Sequence, residues 1–178
     1  MNEQLSVSPG KGVVAVIVLL LFVYTERLAA QDWPEISFSK PIDGFAYPTH
    51  IASAHDGSDR LFVAEETGRI RIVKNGTVLP TPFLDISSRL GKNVVGAQGV
   101  LSIAFPPDYA NKGHFYVNYA TGGTLYVARY RITSNPDIAD AGSEQIILND
   151  GPFQSHWGGE LAFGPLDGFL YFGSGSSG

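Results

Sequence analysis

The chain has 178 residues, 44% hydrophobic and 16% charged, which is enough apolar content to bury a core and too much for a disordered segment. A net charge of -5 and a pI near 5.2 exclude the strongly basic face of a nucleic-acid-binding surface, so no nucleic-acid partner is expected. The lack of cysteine excludes a disulfide framework, a thiolate metal site and a thiol nucleophile, and leaves any redox chemistry to a bound cofactor.

Residues 1–30 form a separate object. Val13 to Tyr24 is an unbroken apolar run, preceded by Lys11 and followed by Arg27 and then Ala29-Ala30. The run is shorter than the roughly 20 residues that cross a bilayer, and small residues stand where a peptidase cuts. The pattern predicts a signal peptide. An N-terminal anchor is the alternative, because Glu3 offsets the single lysine and neither cut site has small residues at both usual positions. Both readings export residues 31–178 to the periplasm or exterior, with membrane contact only through this segment. Asn75-Gly76-Thr77 is a glycosylation sequon in a eukaryotic host alone.

From residue 31 onward, glycine, proline, aromatic and β-branched residues favour short strands joined by tight turns, an all-β class. One phrase occurs three times: IASAHDGSDRLFVAE from Ile51, LSIAFPPDYANKGHFYVNY from Leu101 and ELAFGPLDGFLYFGSG from Glu160. Its aromatic pairs, Leu61-Phe62, Phe115-Tyr116 and Leu170-Tyr171, lie 54 and then 55 residues apart. A repeat of about 55 residues is the size of one four-stranded β-propeller blade. Gly68 to Val73 and Thr124 to Ile132 read as further strands, half-buried by their alternation, and Asn75-Gly76, Gly122-Gly123 and Asp167-Gly168 as turns. Residues 31–178 hold two to three such units, whereas propellers close with about four to eight blades. The expectation is therefore the N-terminal part of a β-propeller in a truncated chain. A small β-sandwich fits the strand count as well.

The chemistry lies near the end. In Gln154-Ser155-His156-Trp157-Gly158-Gly159-Glu160, a histidine stands just before a Gly-Gly strand. The innermost strand of a blade faces the central channel, and glycines there let a ligand or another backbone approach closely. His156 is thus expected at the channel mouth, where an imidazole suits a general base that takes a proton from an alcohol.

HWGGELAFGPLDGFLYFGSG resembles the H-x-G-G-x-L-x-F-G-P-D-G-x-L-Y-x-x-x-G-D signature of the soluble sugar dehydrogenases that use pyrroloquinoline quinone (PQQ), the glucose/sorbosone dehydrogenase family. Phe62-Val63-Ala64-Glu65 with Thr67-Gly68-Arg69-Ile70 is similar to its F-V-x-E-x-x-G-x-I segment, and Pro82-Phe83-Leu84-Asp85 to its P-F-L-D. Gln98-Gly99-Val100-Leu101-Ser102-Ile103-Ala104-Phe105-Pro106-Pro107-Asp108-Tyr109 is similar to G-L-L-G-I-A-F-H-P-D-Y.

The resemblance implies a six-bladed propeller that oxidises a sugar or polyol. His156 would deprotonate the hydroxyl while hydride passes to the PQQ quinone, which a calcium ion polarises. Gln98, Gly158 and Gly159 would lie beside the cofactor. No metal ligand is assigned within this chain, the calcium ligands and the basic residues that grip PQQ being expected beyond residue 178. A respiratory-chain acceptor would take the electrons. Four departures stand out: Ser176 replaces the aspartate of a G-D-G turn, Trp157 a small amide, Ser102 a glycine and Pro106 a histidine; the polar Gln or Glu that precedes the family's G-L-L-G turn corresponds to Gln98, adjacent to Gly99, with Ala97 as the alternative equivalent position.

The remaining candidates read as structural. His50, His55 and His114 lie at turns or strand edges, without the partner ligands of a metal site. Asp56, Asp108 and Asp167 recur at one position of the repeat, which indicates Asx turns. Glu65 and Glu66 follow a strand and read as solvated, with a channel-facing position as the alternative, and Phe62, Tyr116, Phe163 and Tyr171 read as core. Two other functions compete: a non-catalytic propeller that binds protein or carbohydrate, similar to the related domain of hedgehog-interacting proteins, and a calcium-dependent propeller hydrolase or lactonase. The first is disfavoured by His156 and the lack of cysteine, the second by the lack of converging Asp, Asn and Glu.

Overall fold

The structure, a computed structural model, describes residues 34–38, 40–91, 98–152, 156 and 158–175. The leader expected over residues 1–30, Ala97, Trp157 and Ser176 lie outside the described residues. The chain divides into two units after Lys40; the described part of the first carries no helix or strand, and every element below belongs to the second. No helix among the described residues is long and apolar enough to cross a membrane.

Among the described residues, three antiparallel sheets follow one another along the chain. Blade 1 has the order β1 (Pro48–Ser53), β2 (Leu61–Glu65), β3 (Arg69–Lys74), β4 (Thr77–Val78), with β5 (Leu84–Asp85) also paired to β3. Blade 2 is β6 (Gly99–Ala104), β7 (His114–Thr121), β8 (Thr124–Ile132) and β9 (Ala139–Asp150), with the short helix α1 (Tyr109–Lys112) between its first two strands. β10 (Gly158–Phe163) and β11 (Leu170–Ser174) form the third sheet. This is the architecture of a β-propeller. The repeated aromatic pairs fall on β2, β7 and β11, the second strand of each sheet, which explains their spacing.

Turn chemistry matches the topology. Asn75-Gly76 joins β3 to β4 with φ of 51° and 72°, and Gly122-Gly123 joins β7 to β8 with 59° and 84°, left-handed values that suit tight hairpins. The strand expected from Gly68 begins at Arg69 instead, since Gly68 is a turn residue at φ 103°. β8 has the expected bounds, but it is not half-buried. Leu125, Val127, Ala128 and Tyr130 are all buried, because blade 2 is covered on both faces.

Strand alternation divides the core into two seams. Phe62, Ile70, Ile72, Phe83 and Leu84 of blade 1 pack with Phe115, Val117, Ala128 and Tyr130 of blade 2. Phe83 lies 4.8 Å from both Phe62 and Phe115, ring centroid to centroid, and each such buried ring contributes about 1.5–3 kcal/mol by its removal from water. The opposite face of blade 2 packs Ala104, Val127 and Tyr116 against Leu161, Phe163 and Leu170. Tyr171 departs from its expected core role. It is 55% exposed, and its hydroxyl donates to Asp167 at 2.6 Å.

Candidate functional site

The first strands of the three sheets, β1, β6 and β10, form the inner layer, and the chain enters them at one end. There the Glu66 N–H donates to the Tyr47 carbonyl (2.9 Å), and the Glu66 carbonyl accepts the Val100 N–H (3.3 Å). Tyr47, Gln98 and His156 each stand one or two residues before an inner strand. Gln98 is half-buried and His156 is exposed. A depression of about 410 Å³ at this end is lined by Thr49, Leu101, Gly158, Gly159, Glu160 and Ser174, among others. A larger groove, about 730 Å³, opens at the other ends of the same strands, between His50, Ala52, Phe105, Glu160 and Phe163.

The glycines beside His156 are required by close approach and by backbone conformation. Gly158 has φ +74°, and a Cβ there would lie 2.5 Å from the Gly173 carbonyl oxygen and the Gly175 nitrogen. Gly159 has φ +130°, and its Cβ would lie 2.8 Å from Leu101 Cβ. A Cβ on Gly175 would overlap the His156 carbonyl. A neighbouring backbone thus accounts for Gly158 and the Leu101 side chain for Gly159, and at both positions the left-handed φ itself disfavours any other residue. His156 itself has φ 56°, a left-handed conformation unusual for a residue with a side chain.

Side-chain hydroxyls tie one inner strand to the next. Thr49 Oγ1 donates to the Val100 carbonyl at 2.9 Å, from β1 to β6. Ser102 Oγ donates to the Gly159 carbonyl, from β6 to β10. Each inner strand is irregular near its start, with register shifts at Pro48/His50, Val100/Ser102 and Gly158/Leu161, so these carbonyls lie beside interrupted ladders.

Two residues read as peripheral have other roles. His50 is 18% exposed rather than at the surface: its Nδ1 faces the Ile103 N–H (3.5 Å) and its Nε2 faces Glu160 Oε1 (3.5 Å), linking all three inner strands. Glu65 is buried rather than solvated, and accepts the Ala46 N–H at 2.8 Å, because its strand lies inside the sheet. Glu66, also expected to be solvated, is half-buried, while most of the other expectations agree with the geometry. His55 is exposed, and burial holds the His114 imidazole below its usual range beside the Lys112 carbonyl. Asp56 and Asp167 accept the N–H two residues on, at 3.1 and 3.0 Å, whereas Asp108 departs from the expected Asx turn: at φ 63° before α1 its carboxylate makes no cap bond and accepts the Asn111 side-chain amide instead. Asp56 also pairs with Arg60, a residue the sequence pattern did not single out. Among the described residues no group of three or more His, Asp or Glu converges to hold a metal ion.

The comparisons with known proteins agree with this architecture. The human Hedgehog-interacting protein is 33% identical over 145 residues, which are 73% of this chain and 21% of that protein. The PQQ-bound aldose sugar dehydrogenase of Streptomyces coelicolor superposes with a TM-score of 0.63 at 26% identity, over 76% of this chain and 40% of that one. An oxidoreductase of Thermus thermophilus, described as a glucose dehydrogenase, gives a TM-score of 0.62 at 26% identity, over 75% and 39%. The chain thus spans about a fifth of the length of the human relative and about two fifths of each bacterial structure. The family model described as Glucose / Sorbosone dehydrogenase matches residues 45–178, and the chain belongs to that family.

Proposed function

We propose that the protein is an exported quinoprotein dehydrogenase that oxidises a sugar or polyol hydroxyl with PQQ, His156 being the general base. The observation that carries the reading is an exposed His156, held just before Gly158-Gly159 at the end of the inner strands where Gln98 enters β6. The PQQ-bound Streptomyces relative supports the cofactor.

The described residues fit a flat polar group at that end. Gln98 offers an amide, His156 an imidazole and Gly158 an exposed backbone, while Gly159 is buried against Leu101. When bound, PQQ supplies a two-electron acceptor that no side chain of this chain can replace. His156 accepts the hydroxyl proton as the C–H bond is broken, so that neither an alkoxide nor a protonated carbonyl accumulates. The left-handed turn and the glycine contacts fix the backbone from which the imidazole extends, which is how orientation lowers the barrier. For calcium, the described residues offer no converging ligand set. We assign the calcium ligands and the basic contacts to PQQ to parts of the whole protein that this chain does not span, and the electrons to a respiratory acceptor.

A second reading, a binding propeller, is favoured by the 33% identity to the human Hedgehog-interacting protein. Dye-linked oxidation of a panel of aldoses and polyols by the full-length protein with PQQ and calcium, beside His156→Ala, separates the two. Cofactor-dependent turnover that falls at least a hundredfold in the variant, on the order expected for a general base, supports the dehydrogenase. A folded protein with neither turnover nor PQQ binding supports the binding propeller.

A further inference from the structure

We propose that Ser102 is a positioning residue for His156: from the seam between blades 2 and 3, its hydroxyl holds the Gly159 carbonyl and so fixes the backbone that carries the imidazole. The inference rests on the reading of His156 as the base.

The register of β10 against β11 breaks between Gly158 and Leu161, and Gly159 has no Cα partner on β11. Its carbonyl turns instead toward β6, where Ser102 Oγ meets it. Ser102 is 1% exposed and Gly159 is buried, so water does not compete for this bond. A buried carbonyl that loses its donor carries the full desolvation penalty, which makes the contact directional as well as attractive.

Flexibility is the second part. Gly158 and Gly159 are the residues with the greatest backbone freedom, and they begin two positions after His156. Two contacts restrain the segment sterically, Gly158 against the end of β11 and Gly159 against Leu101. The Ser102 bond adds a directional restraint and sets the rotation of the peptide after Gly159.

The arrangement also recurs one blade earlier. Thr49 donates to Val100, the second residue of β6, as Ser102 donates to Gly159, the second residue of β10. In both cases a hydroxyl on one inner strand serves the carbonyl at the irregular start of the next. The similar G-L-L-G pattern has a glycine where this chain has Ser102. A glycine has no hydroxyl, so this restraint belongs to this chain and not to the pattern.

The test uses the full-length protein with PQQ and calcium, as wild type and as Ser102→Ala, Ser102→Gly and Ser102→Thr. Ser102→Gly carries the residue of the family pattern and covers the case in which Ser102→Ala does not fold. Steady-state kinetics are read as kcat and KM separately, together with the His156 imidazole signal in a histidine-labelled NMR spectrum, assigned by its loss in His156→Asn. The proposal expects kcat about tenfold or more lower in the Ala and Gly variants, within the range that misplacement costs, an unchanged KM, and a moved or broadened His156 signal. Ser102→Thr restores both. Wild-type kcat and an unmoved signal in Ser102→Ala and Ser102→Gly overturn it, as does a loss of kcat with the signal unmoved. If wild type shows no turnover, the dehydrogenase reading fails, while the imidazole signal still decides whether Ser102 positions His156.

Discussion

Arg60 of blade 1 meets Asp137 of blade 2 at 2.7 Å, from a side chain only 4% exposed. The same guanidinium holds Asp56 at 2.6 Å, the Ser58 hydroxyl at 2.7 Å and the Pro136 carbonyl, and lies over the Phe62 ring. A planar fork can serve these acceptors together, and an ammonium cannot. Arg60→Met should therefore cost about 3 kcal/mol, the scale for breaking a buried pair from one side, because Asp56 and Asp137 keep their charges without the partner. Arg60→Lys should recover less than half of that. Urea midpoints of the three proteins check both expectations.

The same cluster makes acid stability predictable. Burial pushes the Asp56 carboxyl up, but the Ser58 hydroxyl, Arg60 and the Ser58 N–H outweigh it, so the net shift is downward. Asp85 shifts the same way: burial raises it, while Ser87 and Arg69 lower it further. A carboxyl whose folded pKa lies below its unfolded value contributes stability above about pH 4 and loses it as pH falls through the folded value. Unfolding free energy should begin to fall below about pH 6.5, where His114, its imidazole depressed in the folded state, takes up its proton, and decline further below about pH 4 as Asp56 and Asp85 are protonated. Asp56→Asn should reduce that decline more than Asp85→Asn, since Asp85 and Arg69 are solvent-exposed and screened.

Alkaline stability follows from three tyrosines. Burial raises Tyr109 to about 12, with Arg60 opposing. Burial also raises Tyr119 and Tyr130, which go higher because both hydroxyls donate to Glu144, a carboxylate already paired with Arg89 at 2.6 Å. A folded pKa above the unfolded value of about 10 means stability that is complete below pH 10 and lost as pH rises toward the folded values. Base-induced unfolding should begin above about pH 10, with tyrosinate absorbance rising in step with the loss of structure. The Tyr119→Phe, Tyr130→Phe double variant should show a shallower alkaline decline.

These clusters mark the limit of what local sequence conveys. The 54- and 55-residue spacing, the hairpin glycines and the bounds of β8 were legible because each depends on residues close along the chain. So was the position of His156 before Gly158-Gly159. Arg60 was not, since Asp137 lies 77 residues away and no local period links them. Glu65 and His50 were misjudged for one reason: a strand's pattern tells which residues alternate, but not that neighbouring blades cover both faces and the inner edge. Ser102 was visible only as a departure from a family pattern. Its role required knowing that β6 and β10 lie side by side and that β10 breaks register at Gly159.

Glycine substitutions separate two costs that sequence cannot distinguish. Gly76 and Gly99 both have left-handed backbones, φ +72° and +108°. Around Gly76 a Cβ meets open space, so Gly76→Ala carries only the conformational cost, about 1 kcal/mol. At Gly99 a Cβ would overlap the Glu66 carbonyl, and that carbonyl is held by the Val100 N–H. Relief requires main chain to move at the junction of blades 1 and 2, which adds an overpacking cost of roughly 1–3 kcal/mol to the same conformational one. Gly99→Ala should therefore destabilise by about 3 kcal/mol, at least twice the effect of Gly76→Ala, in denaturant titrations of the full-length protein. Equal losses at the two sites would mean that the inner strands of blades 1 and 2 are not packed as closely as the contact between Gly99 and Glu66 requires.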